Sequence, residues 1–118
     1  MTIDERASAG VSILVVHGRM TVDDQADVWV VDKVRQHLRD GRKHVLVDLA
    51  AVPYVDTTGL RDIVEAYITS RRQGGCVKLL NLTPRVRKLL EITKLLSVIE
   101  AFDSEADAVA SFGSSEQA

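Results

Sequence analysis

The chain has 118 residues and a mass of 13.0 kDa, 46% apolar and 27% charged, which suits one globular domain and leaves no room for a second core. Its 15 Lys and Arg against 17 Asp and Glu give a formal net charge of −2, so no overall basic field draws it to nucleic acid or acidic lipid. A single cysteine, no apolar run of membrane-spanning length and no basic-then-apolar leader in MTIDERASAG together predict a cytoplasmic protein that does not insert into a membrane.

In chain order, the weak strand TIDERAS pairs through an Ala9-Gly10 turn with VSILVVHG (Val11–Gly18), a β-branched run that reads as a buried strand. From Val22 to Arg39 the pattern is helical, with Ala26, Val30, Val34 and Leu38 on one stripe and Gly41 ending it. Trp29 and Val31 lie off that stripe; they either widen it or leave apolar surface for another copy of the chain or a partner, so a homodimer is allowed. HVLVDLA (His44–Ala50) is apolar enough to be covered on both faces. After Gly59, the residues Leu60, Ile63, Val64, Tyr67 and Ile68 follow helical spacing until Gly74-Gly75.

Val77–Leu82 is a further buried strand, with Cys76 at its start read as a core thiol. Thr83-Pro84 then supplies an N-cap and a proline for a short helix with Val86, Leu89 and Leu90 on one face. A strand around Val98–Phe102 follows, and Asp103 caps a last helix with Ala106, Val109 and Phe112 facing in. The resulting order, β-β-α-β-α-β-α-β-α, predicts a compact single α/β domain over 1–113, with a mixed sheet, about four helices and a frayed tail at 114–118.

Sites for chemistry are scarce. Gly74-Gly75 is a helix terminator and no phosphate-cradling loop is present, so no cofactor is expected. His17, His37 and His44 lack metal-ligand spacing, and Asp23, Asp24 and Asp27 suit the positive end of the first helix better than a metal. RVRK (Arg85–Lys88) is one helical turn without interleaved aromatics, which a solvated face explains. No catalytic group is assigned, and an enzyme is not expected. The one stretch that asks for an explanation is DTTG, where two hydroxyls sit between an apolar run and a helix. Asp56 or Thr57 can cap the helix, but capping needs only one such residue; the other explanation is that a hydroxyl is itself a substrate.

DTTGL (Asp56–Leu60) resembles the D-[ST]-[ST]-G-[LI] signature of anti-sigma-factor antagonists in the STAS domain family, and the likeness extends through HGRMT, VLVDLAAVPYVD, RRQGGCVKLLNLTPRVRKLLEITKL and AFDSEADAVASF. The resemblance implies a STAS-like fold and a non-enzymatic, switchable protein ligand. Its partner would be an anti-sigma factor that is also a serine/threonine protein kinase, with a phosphatase resetting the cycle. The implied phosphorylation site is Thr57, with Thr58 the alternative. The implied partner-binding residues are Asp56, which positions the hydroxyl, Thr57, Thr58 as cap, Gly59, which gives the partner's backbone close approach, and Arg61. Arg61 stands where the family usually has a small residue, one turn from Thr57, able to pair with a phosphate or to block a partner. A second reading keeps the fold but makes the chain a non-catalytic scaffold or adaptor subunit of a signalling or transport complex, with DTTG only a cap.

Overall fold

In the computed structural model, which describes residues 1–24 and 26–116, the two β-branched runs become neighbouring parallel strands. They are β2 (Val11–His17) and β3 (His44–Ala51). The sheet is completed by β1 (Thr2–Ser8), β4 (Cys76–Leu80) and the short β5 (Ala101–Phe102), in spatial order β1-β2-β3-β4-β5. Among the described residues only β1 is antiparallel, joined to β2 by a two-residue turn in which Ala9 and Gly10 both have positive φ (50° and 81°). That geometry matches the right-handed twist of a hairpin.

The helices are α1 (Val30–Arg39), α2 (Thr57–Arg72), α3 (Pro84–Ile92) and α4 (Glu105–Glu116). Each of the first three crosses between parallel strands that advance in one direction, so right-handed crossovers place them on one face of the sheet. There they bury Leu14, Val45, Val47 and Leu79 with Val34, Ile63 and Leu90. On the other face α4 lays Ala108 and Phe112 on Val11, Ile13, Leu46 and Leu80. The order of elements agrees with the sequence pattern. Of the expected tail 114–118, residues 117 and 118 lie outside the described residues, and α4 runs on to Glu116.

Local signals explain several ends. Thr83 accepts from the Val86 amide at 3.4 Å and Pro84 opens α3, while α1 and α2 both close with paired turn bonds (Arg42 to His37 carbonyl, 2.8 Å; Gly75 to Ser70 carbonyl, 2.7 Å) around a positive-φ glycine.

Several expectations are corrected or narrowed. The first helix does not start at Val22: Val22–Asp24 is a single 3-10 turn and the α-helix begins at Val30, so Asp23, Asp24 and Asp27 are not in its first turn. Val30 and Val31 are buried and Trp29 is half-buried against the core, so most of the apolar excess is absorbed by the domain itself. The last helix starts at Glu105 and is capped by Ser104, whose hydroxyl accepts from the Asp107 amide at 3.3 Å, while Asp103, one residue too early to cap, pairs with Arg87 at 3.0 Å; Ala108 rather than Ala106 faces in. Cys76 is half-buried at the edge of the α4 layer. Finally, β4 carries a buried cation: Lys78, 1% exposed, donates from Nζ to the carbonyl and hydroxyl oxygens of Ser111 (3.2 and 2.9 Å) and lies 4.7 Å from the centre of the Phe112 ring. Hydrogen bonds and a cation–π contact compensate the desolvation that an isolated ammonium would suffer there.

Candidate functional site

The DTTG stretch sits where the C-terminal end of β3 turns into α2, beside the loop that leaves β2. Backbone bonds stitch these two loops together: Met20 N–H to the Tyr54 carbonyl at 3.0 Å, and Asp56 N–H to the Met20 carbonyl at 3.2 Å. Met20 and Val55 are thereby bridged in parallel, an extension of the β2–β3 pairing beyond the strands proper.

Asp56 is the N-cap. Its side chain accepts from the Gly59 amide at 3.0 Å and, with its other oxygen, from the Val22 amide of the neighbouring loop at 2.8 Å. The bond from Val22, followed by that from Gly59, holds its carboxyl below the ordinary value of 3.8. One carboxylate therefore both starts α2 and fixes the β2 loop against it. Thr58 is not the cap that the family pattern implies. It is half-buried, Thr57 is exposed at the first helical position, and among the described residues neither hydroxyl makes a hydrogen bond. The capping explanation for the threonine pair is thus satisfied by their neighbour, and both hydroxyls are left over.

Gly59 is buried, and its close approach is internal. A Cβ there would lie 2.1 Å from the Met20 carbonyl oxygen and 2.7 Å from the Met20 Cβ, so only glycine lets α2 rest on that loop. Arg61, four residues beyond Thr57, is exposed and forms no ion pair among the described residues. It is on the Thr57 side of the helix, since residues i and i+4 are surface neighbours.

Asp62 is the residue that sequence reasoning passed over. It is 5% exposed and accepts at both oxygens from α1: the Val30 amide at 2.9 Å and the Val31 amide at 2.8 Å. Burial pushes its carboxyl above the ordinary 3.8, and the two amide bonds only partly counter that. The start of α1 is thus set by a side chain 31 and 32 residues away in sequence, with the Trp29 amide satisfied locally by Asp32 at 2.8 Å. The buried line of α2 is Gly59, Asp62, Ile63, Ala66 and Ser70, one residue round from the expected stripe. Small and polar residues do not register in a count of apolar periodicity. The available hint was an aspartate lodged between Leu60 and Ile63.

The STAS domain model matches residues 3–108. The anti-sigma-B factor antagonist of Bacillus subtilis (strain 168) is 29% identical over 85 residues, covering 70% of this chain and 78% of that protein. Among solved structures, an anti-sigma factor antagonist from Mycobacterium paratuberculosis has a TM-score of 0.79 at 19% identity, covering 93% of this chain and 92% of that one. The Bacillus cell fate determinant SpoIIAA in its phosphorylated form has a TM-score of 0.67 at 14% identity, covering 94% and 99%. At these identities the structural likeness establishes the fold. Among the described residues no helix is long and apolar enough to cross a membrane.

Proposed function

The chain belongs to the STAS domain family, and from that premise we propose that it is a cytoplasmic anti-sigma-factor antagonist, acting by protein–protein binding and switched off by phosphorylation at Thr57. The partner is a serine/threonine-kinase-type anti-sigma factor, and a phosphatase restores the binding form. Similarity to proteins named as antagonists supports the class of partner. One observation carries the choice of residue: the Thr57 hydroxyl is exposed at the head of α2 and unused, because Asp56 does the capping. An adaptor in which DTTG is only a cap would leave both threonines unexplained.

The physics of the switch is local. A phosphate adds about −1.5 to −2 charges at neutral pH. At Thr57 it stands at the positive end of a 16-residue helix, which favours it, but beside the Asp56 carboxylate, which already occupies the Gly59 and Val22 amides. Arg61, one turn on, is the cation within reach. The fold therefore tolerates the group, and the surface changes. A partner shaped for a hydroxyl must bury a dianion against itself, which costs several kcal/mol and lowers affinity on the order of a thousandfold.

The test is titration calorimetry against the purified kinase-type anti-sigma factors of the source organism. The parent and Thr57→Ala are expected to bind alike, with Thr57→Asp at least about a hundredfold weaker. Thr57→Asp binding as tightly as the parent would reduce DTTG to a helix cap.

A further inference from the structure

Beside the motif, Tyr54 and α3 enclose an open groove of about 520 Å³ with an apolar floor of Tyr54, Val55, Leu89 and Ile92, edged by Arg85 and Lys88. We propose that this groove receives a segment of the partner protein that presents an apolar side chain flanked by carboxylates. The proposal rests on the antagonist reading above and adds to it where, and by what chemistry, the partner is gripped away from Thr57.

Three observations carry it. The first is apolar exposure without internal cause. Ile92 ends α3 on the side away from its buried residues Val86 and Leu90 and is 67% exposed; Tyr54, across the groove, is 39% exposed. The second is charge. Of the three cations in RVRK, Arg87 is tied to Asp103 at 3.0 Å, whereas Arg85 and Lys88 form no ion pair among the described residues. Arg85 instead lies over the Tyr54 ring at 5.3 Å, and Lys88 lines the groove. In a chain of net charge −2, this is a local positive edge, and the complement of an apolar floor with a positive edge is an apolar anchor with acidic neighbours. The third is continuity. Tyr54 and Val55, which line the groove, immediately precede Asp56 and Thr57 in the chain, so one protein surface can cover both the Thr57 hydroxyl and the groove. A nucleic-acid strand suits the site poorly, because its one aromatic face is taken by Arg85.

The experiment measures affinity of the purified kinase-type anti-sigma factor for the parent, Ile92→Glu, Lys88→Glu and, as a control at the far end of α2, Arg72→Glu. Ile92, Lys88 and Arg72 are all exposed, and thermal melts check that each variant keeps its fold. Ile92→Glu and Lys88→Glu are each expected to lose about tenfold or more, Arg72→Glu less than about twofold. Exchanging an acidic residue of the partner for lysine is expected to restore binding to Lys88→Glu. If the parent binds and Thr57→Asp releases, but both groove variants bind as the parent does, the groove proposal is overturned and the antagonist reading stands. If sedimentation shows that Ile92→Glu dissolves a homodimer while partner binding is unchanged, the groove belongs to a second copy, which also overturns it. A parent chain that binds none of the kinases removes the antagonist reading and the groove with it.

Discussion

The N-termini of α1 and α2 lie side by side and are satisfied in opposite ways. At α2 the cap is Asp56, immediately before the helix, half-buried and with its carboxyl held down by amide donors. At α1 two buried amides of the first turn are taken by Asp62, itself buried in the adjacent helix and with its carboxyl pushed up by burial. The local cap leaves Thr57, the first residue of its helix, exposed and its hydroxyl unengaged, which is what a modifiable hydroxyl needs. The remote cap buries the start of its helix and ties α1 to α2. A helix end that is free to signal and one that holds the domain together thus need different carboxylates, placed differently.

The strongest way to break this arrangement is Gly59→Ala. Its methyl meets the Met20 backbone, which cannot swing aside as a side chain can, so a loss at the upper end of the roughly 1–3 kcal/mol seen for overpacking is expected in chemical denaturation. Unchanged stability would mean that α2 does not rest on that loop as described.

Asp62→Ala comes next. It strips two acceptors from the start of α1 and is expected to cost about 2 kcal/mol, with Asp62→Asn retaining part of the bonding. Asp56→Ala is expected to cost less, because the exposed Val22 amide it frees can turn to water.

Acid titration of stability separates the two carboxylates further. Asp56 has a lowered folded value, so its contribution is present above 3.8 and is lost as pH falls through that lower value; the penalty of Asp56→Ala shrinks with acid. Asp62 has a raised folded value, so the parent gains relative to Asp62→Asn below 3.8 and loses that gain as pH rises through the folded value; the penalty of Asp62→Asn grows with acid. Denaturation midpoints collected between pH 3 and 7 would show the two trends, and parallel trends would contradict the assignment of caps. The smallest effects are expected of Thr57→Ala and Thr58→Ala, each within about 0.5 kcal/mol of the parent, since neither hydroxyl is bonded.

The same contrast explains what the sequence made legible. Strands β2, β3 and β4 are short, predominantly apolar runs, and α3 opens on Thr83-Pro84; each signal lies within a few residues of the element it specifies. Asp56, Thr57 and their neighbours were legible for that reason. The start of α1 was not, because its determinant is Asp62 on another helix, and apolar periodicity ran on through Val22–Val28 to a boundary it had no means of seeing. Asp103 looked like a cap, but α4 begins at Glu105, so the task falls to Ser104 and Asp103 pairs with Arg87. Lys78 was hidden inside CVKLL, where its burial depends on Ser111 and Phe112 of a helix packed from the other face. Asp62, Asp103 and Lys78 all answer to partners distant in sequence, whereas the capping bond that frees Thr57, from Gly59 to Asp56, joins residues three apart.

The most direct measurement is mass spectrometry of the parent chain after incubation with the cognate kinase-type anti-sigma factor and ATP. A single phosphate on Thr57, absent from Thr57→Ala, is the expected result. A phosphate on Thr58 would move the site onto the half-buried threonine, and no phosphate on either would contradict the account.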